Sequence, residues 1–126
     1  MNITDFILSV CSDIEFEIRR LKSYGIVSPA FEQVKRSSTA IGANYCEAMG
    51  CHTEKDYRKT VGVSLKECNE TIWWIELLDN DFNLSKYKTI IQSLYEIKKA
   101  LEENILYSAE NNCIPTEWGE KIQKFS

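Results

Sequence analysis

Two stretches of the chain place charged and amide side chains inside segments that otherwise have the apolar spacing of buried helices. The first runs from Arg36 to Ala48, and the second runs from Leu65 to Leu78. Burying such groups costs free energy unless they bind one another. Since a helical turn takes about 3.6 residues, the polar side chains of each stretch cluster toward one side of its helix. The polar residues concerned are Arg36, Asn44, Glu47, Lys66, Glu67 and Glu70.

Ion pairing is the chemistry that these residue types favour. If the two stretches form neighbouring antiparallel helices, Arg36 can meet Glu67 or Glu70. Lys66 can likewise meet Glu47. A guanidinium that binds two carboxylates is the pairing best able to offset desolvation. We therefore expect a structural polar network that fixes the register of the helices. A small-molecule or enzymatic site in the same polar core is the alternative.

Metal-centred and nucleophilic chemistry are both disfavoured. Glu47 and the Glu67-x-x-Glu70 pair are similar to the carboxylates of di-iron bundles, but those sites need Glu-x-x-His on two helices. The single histidine, His52, falls in a predicted loop, which also weakens any Ser-His-acid triad. Neither of the glycine-rich phosphate-binding motifs is present. We predict no catalytic residue, no metal ligand and no cofactor.

A modest basic stripe lies on the third predicted helix and consists of Lys55, Arg58, Lys59 and Lys66. It is a candidate contact for RNA or DNA. The net charge of −4 and the pI of about 5.1 argue against a dedicated nucleic-acid binder, because phosphate binding usually leaves a basic footprint. A nucleic-acid-associated accessory protein is therefore an alternative function and not the first one.

Four aromatic residues suggest a subunit interface. Trp73 and Trp74 are adjacent, so one helix cannot bury both indoles on the same face. One of them must then find a second surface. Together with Tyr45 and Tyr57, they are our candidates for the interface of a homo-oligomer.

Small residues recur on the second and third predicted helices, among them Ser37, Gly42, Gly62 and Ser64. A glycine within a helix costs up to about 1 kcal/mol relative to alanine. The usual compensation is the close approach of another backbone. We expect such packing either between helices two and three or between subunits.

Hydrophobic spacing and the positions of glycine and proline divide the chain into four helices. Ser28 before Pro29, Thr53 and Ser85 are predicted to begin the last three helices, and Gly25 is predicted to follow the first. Short connections predict an all-α, antiparallel up-down-up-down bundle in residues 1–112. The expected helices span about 3–24, 29–49, 54–79 and 86–111, residues 80–83 form a turn, and residues 113–126 form a tail.

The sequence predicts a cytoplasmic location without a membrane partner. No apolar run reaches the roughly 18–20 residues that cross a bilayer, and the N-terminus lacks the blocks of a signal peptide. The five cysteines are scattered and contain no Cys-x-x-Cys, so neither a disulfide framework nor a zinc site is expected.

In the tail, Trp118 suggests packing against the bundle.

The two polar stretches resemble a family of bacterial four-helix-bundle proteins related to the 23S rRNA-intervening-sequence proteins. Members have the pattern Q…RS-x-T-S-I-G-A-N-x-x-E-A, followed by an aromatic residue and then L-K-E-x-x-E-T-x-x-W-L-x-L-L. The resemblance covers residues 28–80. The matching residues are Gln33, Arg36, Ser37, Thr39, Ile41, Gly42, Ala43, Asn44, Glu47, Ala48, Asp56, Tyr57, Leu65, Lys66, Glu67, Glu70, Thr71, Trp74, Leu77 and Leu78.

This resemblance implies an antiparallel bundle that assembles as a ring-like homopentamer and serves as a non-enzymatic scaffold or adaptor. It provides no catalytic residue to carry over. A related protein, the accessory variability determinant of diversity-generating retroelements, binds nucleic acid and reverse transcriptase through a basic surface. The chain departs from the family pattern at Ala40, where serine is usual, and at Lys59-Thr60, where His-Lys is usual. Its acidic pI also differs from that of the retroelement relative.

Overall fold

The computed structural model of the protein describes residues 2–115. In this part of the chain the backbone forms four α-helices and no strand. Most of the expected tail, including Trp118, lies outside the described residues. The helices are α1 (Ile3–Ser23), α2 (Ala30–Met49), α3 (Glu54–Phe82) and α4 (Tyr87–Asn111).

Local capping begins α2 and α3 where the sequence predicts it. The hydroxyl oxygen of Ser28 accepts a hydrogen bond from the backbone N–H of Ala30 at 3.2 Å. Pro29 between them already has helical torsion angles, with φ −61° and ψ −20°. At α3, the Thr53 hydroxyl accepts from the N–H of Asp56 at 3.1 Å. These contacts satisfy N–H groups that have no partner within the helix.

The end of α1 also follows its sequence signal. Gly25 has a φ of +79°, a conformation that side-chain-bearing residues adopt at a cost. Its N–H donates to the carbonyl of Lys22, and the N–H of Ile26 donates to the carbonyl of Leu21. This pair of bonds is the Schellman arrangement that turns the chain out of a helix.

The start of α4 differs from the prediction. The helix begins at Tyr87, and the side chain of Ser85 does not cap it. The Ser85 hydroxyl instead donates to the carboxylate of Glu17, a buried residue of α1. A buried carboxylate gains more from this bond than an exposed helix end does, so the tertiary contact replaces the local one.

Helix α3 is longer than predicted and ends at Phe82, so the expected turn at residues 80–83 is wrong. The additional helical residues bring the ring of Phe82 within 6.5 Å of the ring of Phe31 in α2, measured between centroids. Asn83 then ends the helix in the left-handed conformation, with a φ of +56°. The polar pattern of this segment therefore reflects its exposed face and not a break in the helix.

The core consists of one apolar face from each helix. Helix α2 packs against α1 and α3, and α4 packs against the same two helices. Val34, Val61, Ile90, Leu94 and Leu101 are completely buried. Within the described residues, no helix is long and apolar enough to cross a membrane.

Candidate functional site

The charged residues of α2 and α3 meet at the edge of the contact between these helices. One guanidinium nitrogen of Arg36 donates to Glu67 Oε2 at 3.1 Å, and another donates to Glu70 Oε1 at 2.6 Å. Glu67 is buried, whereas the Arg36 side chain remains half exposed. The structure thus brings together three of the six predicted network residues.

The Arg36 contact changes the protonation chemistry of its partner. The hydrogen bond from Arg36 is the main cause that lowers the pKa of Glu70 below its usual value. The indole N–H of Trp74 also donates to the same Glu70 oxygen, at 3.4 Å. The hydrogen bond to Glu70 in turn raises the pKa of Arg36. Glu70 is therefore held as a carboxylate, which makes it a poor proton donor near neutral pH.

A row of buried hydroxyl groups lies beneath these charges. The Thr71 hydroxyl donates to Ser37 Oγ at 2.8 Å, and both residues are completely buried. About two turns away along α3, the Ser64 hydroxyl donates to the backbone carbonyl of Ile41 at 2.7 Å. These bonds cross from α3 to α2 and tie the two helices at a fixed register.

Sequence reasoning did not assign these hydrogen bonds. It identified Ser37 and Ser64 only as small residues that permit close packing. The available signal was the seven-residue spacing of Ser64 and Thr71, which repeats on one helix face after about two turns. The structure places both on the side of α3 that contacts α2.

Within the described residues, the other predicted network residues make no hydrogen bond or ion pair with this cluster, although, in addition to the hydrogen bond from Arg36, the charge of Lys66 also lowers the pKa of Glu70. The Asn44 side chain donates to the carbonyl of Ala40 in its own helix, at 2.8 Å. Glu47 and Lys66 are both exposed, and the expected Lys66–Glu47 pair is absent from the ion pairs of residues 2–115. The register explains this correction, because Ser64 lies opposite Ile41 and so Lys66 lies near residue 39. Glu47 is then displaced by about 12 Å along the helix.

The basic stripe divides into two parts. Arg58 donates to the carbonyl and the hydroxyl of Ser108 at the C-terminal end of α4, at 3.2 and 3.3 Å. A cation at that end is favoured by the helix dipole, so Arg58 has a structural partner. Lys55, Lys59 and Lys66 are exposed and fall on one face of α3.

The aromatic residues proposed for an interface also divide. Tyr45 and Tyr57 are 3% and 0% exposed, so both belong to the core of the single chain and their assignment to an interface is corrected. The predicted division of the adjacent indoles is seen. Trp74 packs partly against the core, and Trp73 is 62% exposed on the outer face of α3.

The close packing of another backbone that we expected at the glycines can be compared with the structure. A Cβ atom added at Gly42 would lie 3.4 Å from Ile7 Cγ2, so Gly42 accommodates α1 and not α3. A Cβ atom added at Gly62 would have no neighbour within 4 Å. Contacts within the described chain therefore give no reason for a glycine at position 62.

The described residues contain no group of three or more His, Cys, Asp or Glu side chains that could hold a metal ion. The cysteines of this part are free thiols. Burial raises the pKa of Cys68 to about 12 and also raises that of Cys11. Both thiols therefore stay protonated and are weak nucleophiles.

Comparison with known proteins identifies the family. Residues 6–103 match the sequence pattern of a protein family described as "23S rRNA-intervening sequence protein". The chain belongs to the 23S rRNA-intervening sequence protein family. No curated protein matches the chain.

A solved structure is similar to this family member in both sequence and fold. It is a protein with unknown function from the S23 ribosomal protein family of Bacteroides thetaiotaomicron. The two chains are 30% identical, the alignment covers 82% of this chain and 97% of the other, and the TM-score is 0.75. The family thus extends over most of the bundle, while its match ends at residue 103, within α4.

Proposed function

We propose that this family member is a cytoplasmic, non-enzymatic scaffold or adaptor subunit that works as a ring-like homo-oligomer of antiparallel four-helix bundles. The observation that carries the proposal is the exposure of Trp73. Its side chain is 62% exposed on a helix whose inner face is fully used for packing. Large exposed indoles are typical of protein interfaces and are frequent anchors of binding energy.

The antiparallel arrangement is supported by the order of the contacts. Rising residue numbers in α2 pair with falling numbers in α3, as in Ser37 with Thr71 and Ile41 with Ser64. Arg58 with Ser108 and Cys68 with Leu94 follow the same order between α3 and α4.

A non-enzymatic role is supported by the polar strip between α2 and α3, which consists of Arg36, Glu67, Glu70, Ser37 and Thr71. Its charged and hydroxyl groups bind one another, with Arg36 held by two carboxylates and Thr71 bound to Ser37. Groups that are already paired would have to exchange these bonds for any ligand. We therefore assign the strip to fixing helix register and not to a reaction.

Light-scattering mass after size exclusion tests the proposal. The full chain has a mass of 14.6 kDa, and we expect a discrete species of several subunits, with five as the count that the family resemblance implies. The species should be free of nucleic acid by its absorbance ratio at 260 and 280 nm. A monomer at all protein concentrations would exclude the scaffold role.

Nucleic-acid binding is the second candidate, because Lys55, Lys59 and Lys66 present three exposed ammonium groups on one helix face. Binding of generic RNA should then weaken steeply as salt rises, since counterions are released when phosphates are bound. Changing Lys55 and Lys59 to Glu should flatten the salt dependence. The same charge change at the exposed Lys88 and Lys99 of α4 is the matched control.

A further inference from the structure

The contact between α1 and α2 leaves an apolar groove on the surface. Its volume is about 270 Å³, and it continues into a second cavity of about 230 Å³ that shares Leu8, Cys11 and Thr39. The groove exists because α2 has small side chains where it faces α1. The residues that define it are Ile7, Leu8, Cys11, Gly42, Ala43 and Cys46.

The lining of this groove suits an apolar side chain better than a free ligand. Small-molecule sites combine apolar walls with a few convergent polar groups that fix the orientation of the ligand. This groove is lined mainly by aliphatic and thiol groups, together with Thr4 and Thr39. Leu8 is 59% exposed at its edge, so the groove offers apolar contact area that the described chain leaves uncovered.

The outer face of α3 carries a group of matching shape. Gly62, Lys66, Asn69 and Trp73 fall on this face at spacings of three, four and seven residues. Trp73 projects as a large apolar side chain, and no atom from another described segment lies within 4 Å of the Cβ position of Gly62. A glycine there would let another backbone approach α3 closely.

The charges beside the two features are complementary. Glu47 lies one turn after Ala43 at the edge of the groove, and Asp5 lies three residues before Leu8. Both are exposed, and neither takes part in an ion pair of the described residues. Lys66 lies two turns before Trp73, about 10 Å along the axis, and is also exposed. An acidic edge therefore faces a basic flank if the indole enters the groove.

We propose that Trp73 of one chain inserts into the α1–α2 groove of a second copy, with Lys66 beside the acidic edge formed by Asp5 and Glu47. This inference rests on the proposed homo-oligomer and names its two contacting surfaces. The indole and the groove lie on different faces of the bundle, so the contact is head-to-tail. Such a contact leaves one indole and one groove free in a pair of chains and is completed only by closing a ring.

Photo-crosslinking of the full chain tests this contact directly. Trp73 is replaced with p-benzoylphenylalanine, which keeps a large aromatic group at the position, and Tyr95 on α4 receives the same group as a control, since it is 53% exposed. Irradiation at position 73 should give a covalent dimer, and mass spectrometry should place the link within residues 4–11 or 39–47. Position 95 should give no link to those residues.

The crosslinking result and the light-scattering mass together separate this inference from the proposed function. An assembled protein whose position 73 links to other parts of the neighbouring chain overturns the groove contact and leaves the oligomer intact. Links to residues 116–126 also overturn it, because they would show that the C-terminal segment, and not the groove of a second copy, contacts position 73. A monomer in light scattering removes both proposals.

Filling the groove is the second test. Ala43→Phe places a large ring in the groove at an exposed position, and it should raise the protein concentration needed for half assembly by about tenfold or more, as expected for a blocked anchor. Ala109→Phe is the matched exposed control on α4 and should leave assembly unchanged. Equal assembly of both variants would contradict the inference.

A charge exchange tests whether Lys66 of one chain lies beside Glu47 at the acidic edge of the groove of a second copy. Lys66→Glu and Glu47→Lys should each weaken assembly by roughly fivefold or less, because exposed pairs contribute little. The double variant should restore it. Additive losses in the double variant would show that these side chains do not meet.

Discussion

Helix α2 is packed in two different ways on its two sides. Toward α3, Ser37 is completely buried and hydrogen-bonded to Thr71, and Ile41 accepts a bond from Ser64. Toward α1, Gly42 touches Ile7, and an open groove of about 270 Å³ runs beside this contact. The first side is closed by directional bonds, and the second leaves apolar surface uncovered.

The difference allows one helix both to fix the fold and to carry the assembly surface that we propose. Buried hydroxyl groups favour one alignment of α2 and α3, since a shift along the axis would break the Thr71–Ser37 and Ser64–Ile41 bonds, each of which contributes about 1 kcal/mol. Apolar surface has no such directionality. The proposed insertion of Trp73 into the groove would therefore leave the register on the opposite side unchanged.

The largest expected effect comes from enlarging a side chain on the closed side. Ser64→Leu should lower the free energy of unfolding by about 3 kcal/mol, because position 64 is completely buried and the bond to Ile41 is lost. Thr39→Leu, an exposed position beside the groove, should stay within about 0.5 kcal/mol of the parent. Urea denaturation under conditions that keep the chain dissociated measures both, and equal losses would remove the distinction between the two sides.

Removing one buried hydroxyl should have a smaller effect. Thr71→Val keeps the shape but loses the bond to Ser37, so we expect a loss of about 1–2 kcal/mol. Thr39→Val removes a hydroxyl that bonds only to carbonyls of its own helix and should cost less than about 0.5 kcal/mol. A neutral Thr71→Val variant would show that the hydroxyl row does not fix the register.

Arg36→Met tests the ion pairs of Arg36 with Glu67 and Glu70 at the edge of the contact between α2 and α3. We expect the melting temperature to fall by a few degrees, because Glu67 and Glu70 lose the guanidinium that both carboxylates bind. Lys35→Met is the adjacent control, since Lys35 is similarly exposed and its nitrogen lies 3.9 Å from Glu15. Thermal melts of equal midpoint for the two variants would contradict a specific role for Arg36.

The same contact predicts a dependence on acid. The folded chain lowers the pKa of Glu70, so the stabilisation is present above the ordinary glutamate pKa and is lost as pH falls through the lowered value. Between neutral and strongly acidic pH, the parent should therefore lose more stability than Glu70→Gln does. Melting curves recorded across this range measure the difference, and parallel curves would show that Glu70 does not contribute.

The smallest expected effect distinguishes the two glycines. Gly62→Ala should raise the free energy of unfolding by about 0.5–1 kcal/mol, because no atom of another described segment lies within 4 Å of its Cβ position and alanine favours the helix. Gly42→Ala places its Cβ atom 3.4 Å from Ile7 Cγ2 and should gain less. Denaturation under conditions that keep the chain dissociated measures both, and a loss at position 62 would show an unseen intrachain contact.

Particular residues show which helix ends could be predicted from the sequence and which could not. The caps at Ser28 and Thr53 and the glycine that ends α1 were predictable because each bond spans only a few residues. Ser85 has the same local signal, yet its hydroxyl binds Glu17, which lies 68 residues away. A local pattern cannot report a competitor that only the packed chain brings near.

The candidate site shows the same limit. The contact of Arg36 with Glu67 and Glu70 follows from charge and helical spacing, but the Lys66–Glu47 pair fails because the register places them too far apart. Tyr45 and Tyr57 are of a residue type that is common at interfaces, but both are buried in the core. Amphipathic aromatic side chains suit either environment, so their type alone does not decide between them.

By itself the sequence determined the four helices, most of their ends and the polar edge at Arg36, since these depend on periodicity, local capping and charge. Only the tertiary structure decided which indole is exposed, which hydroxyl groups are buried and where α1 and α2 leave a groove. The physical reason is that rotation and sliding of a helix barely change its own internal energy. Its neighbours alone select the alignment in which apolar surface and buried polar groups are both satisfied.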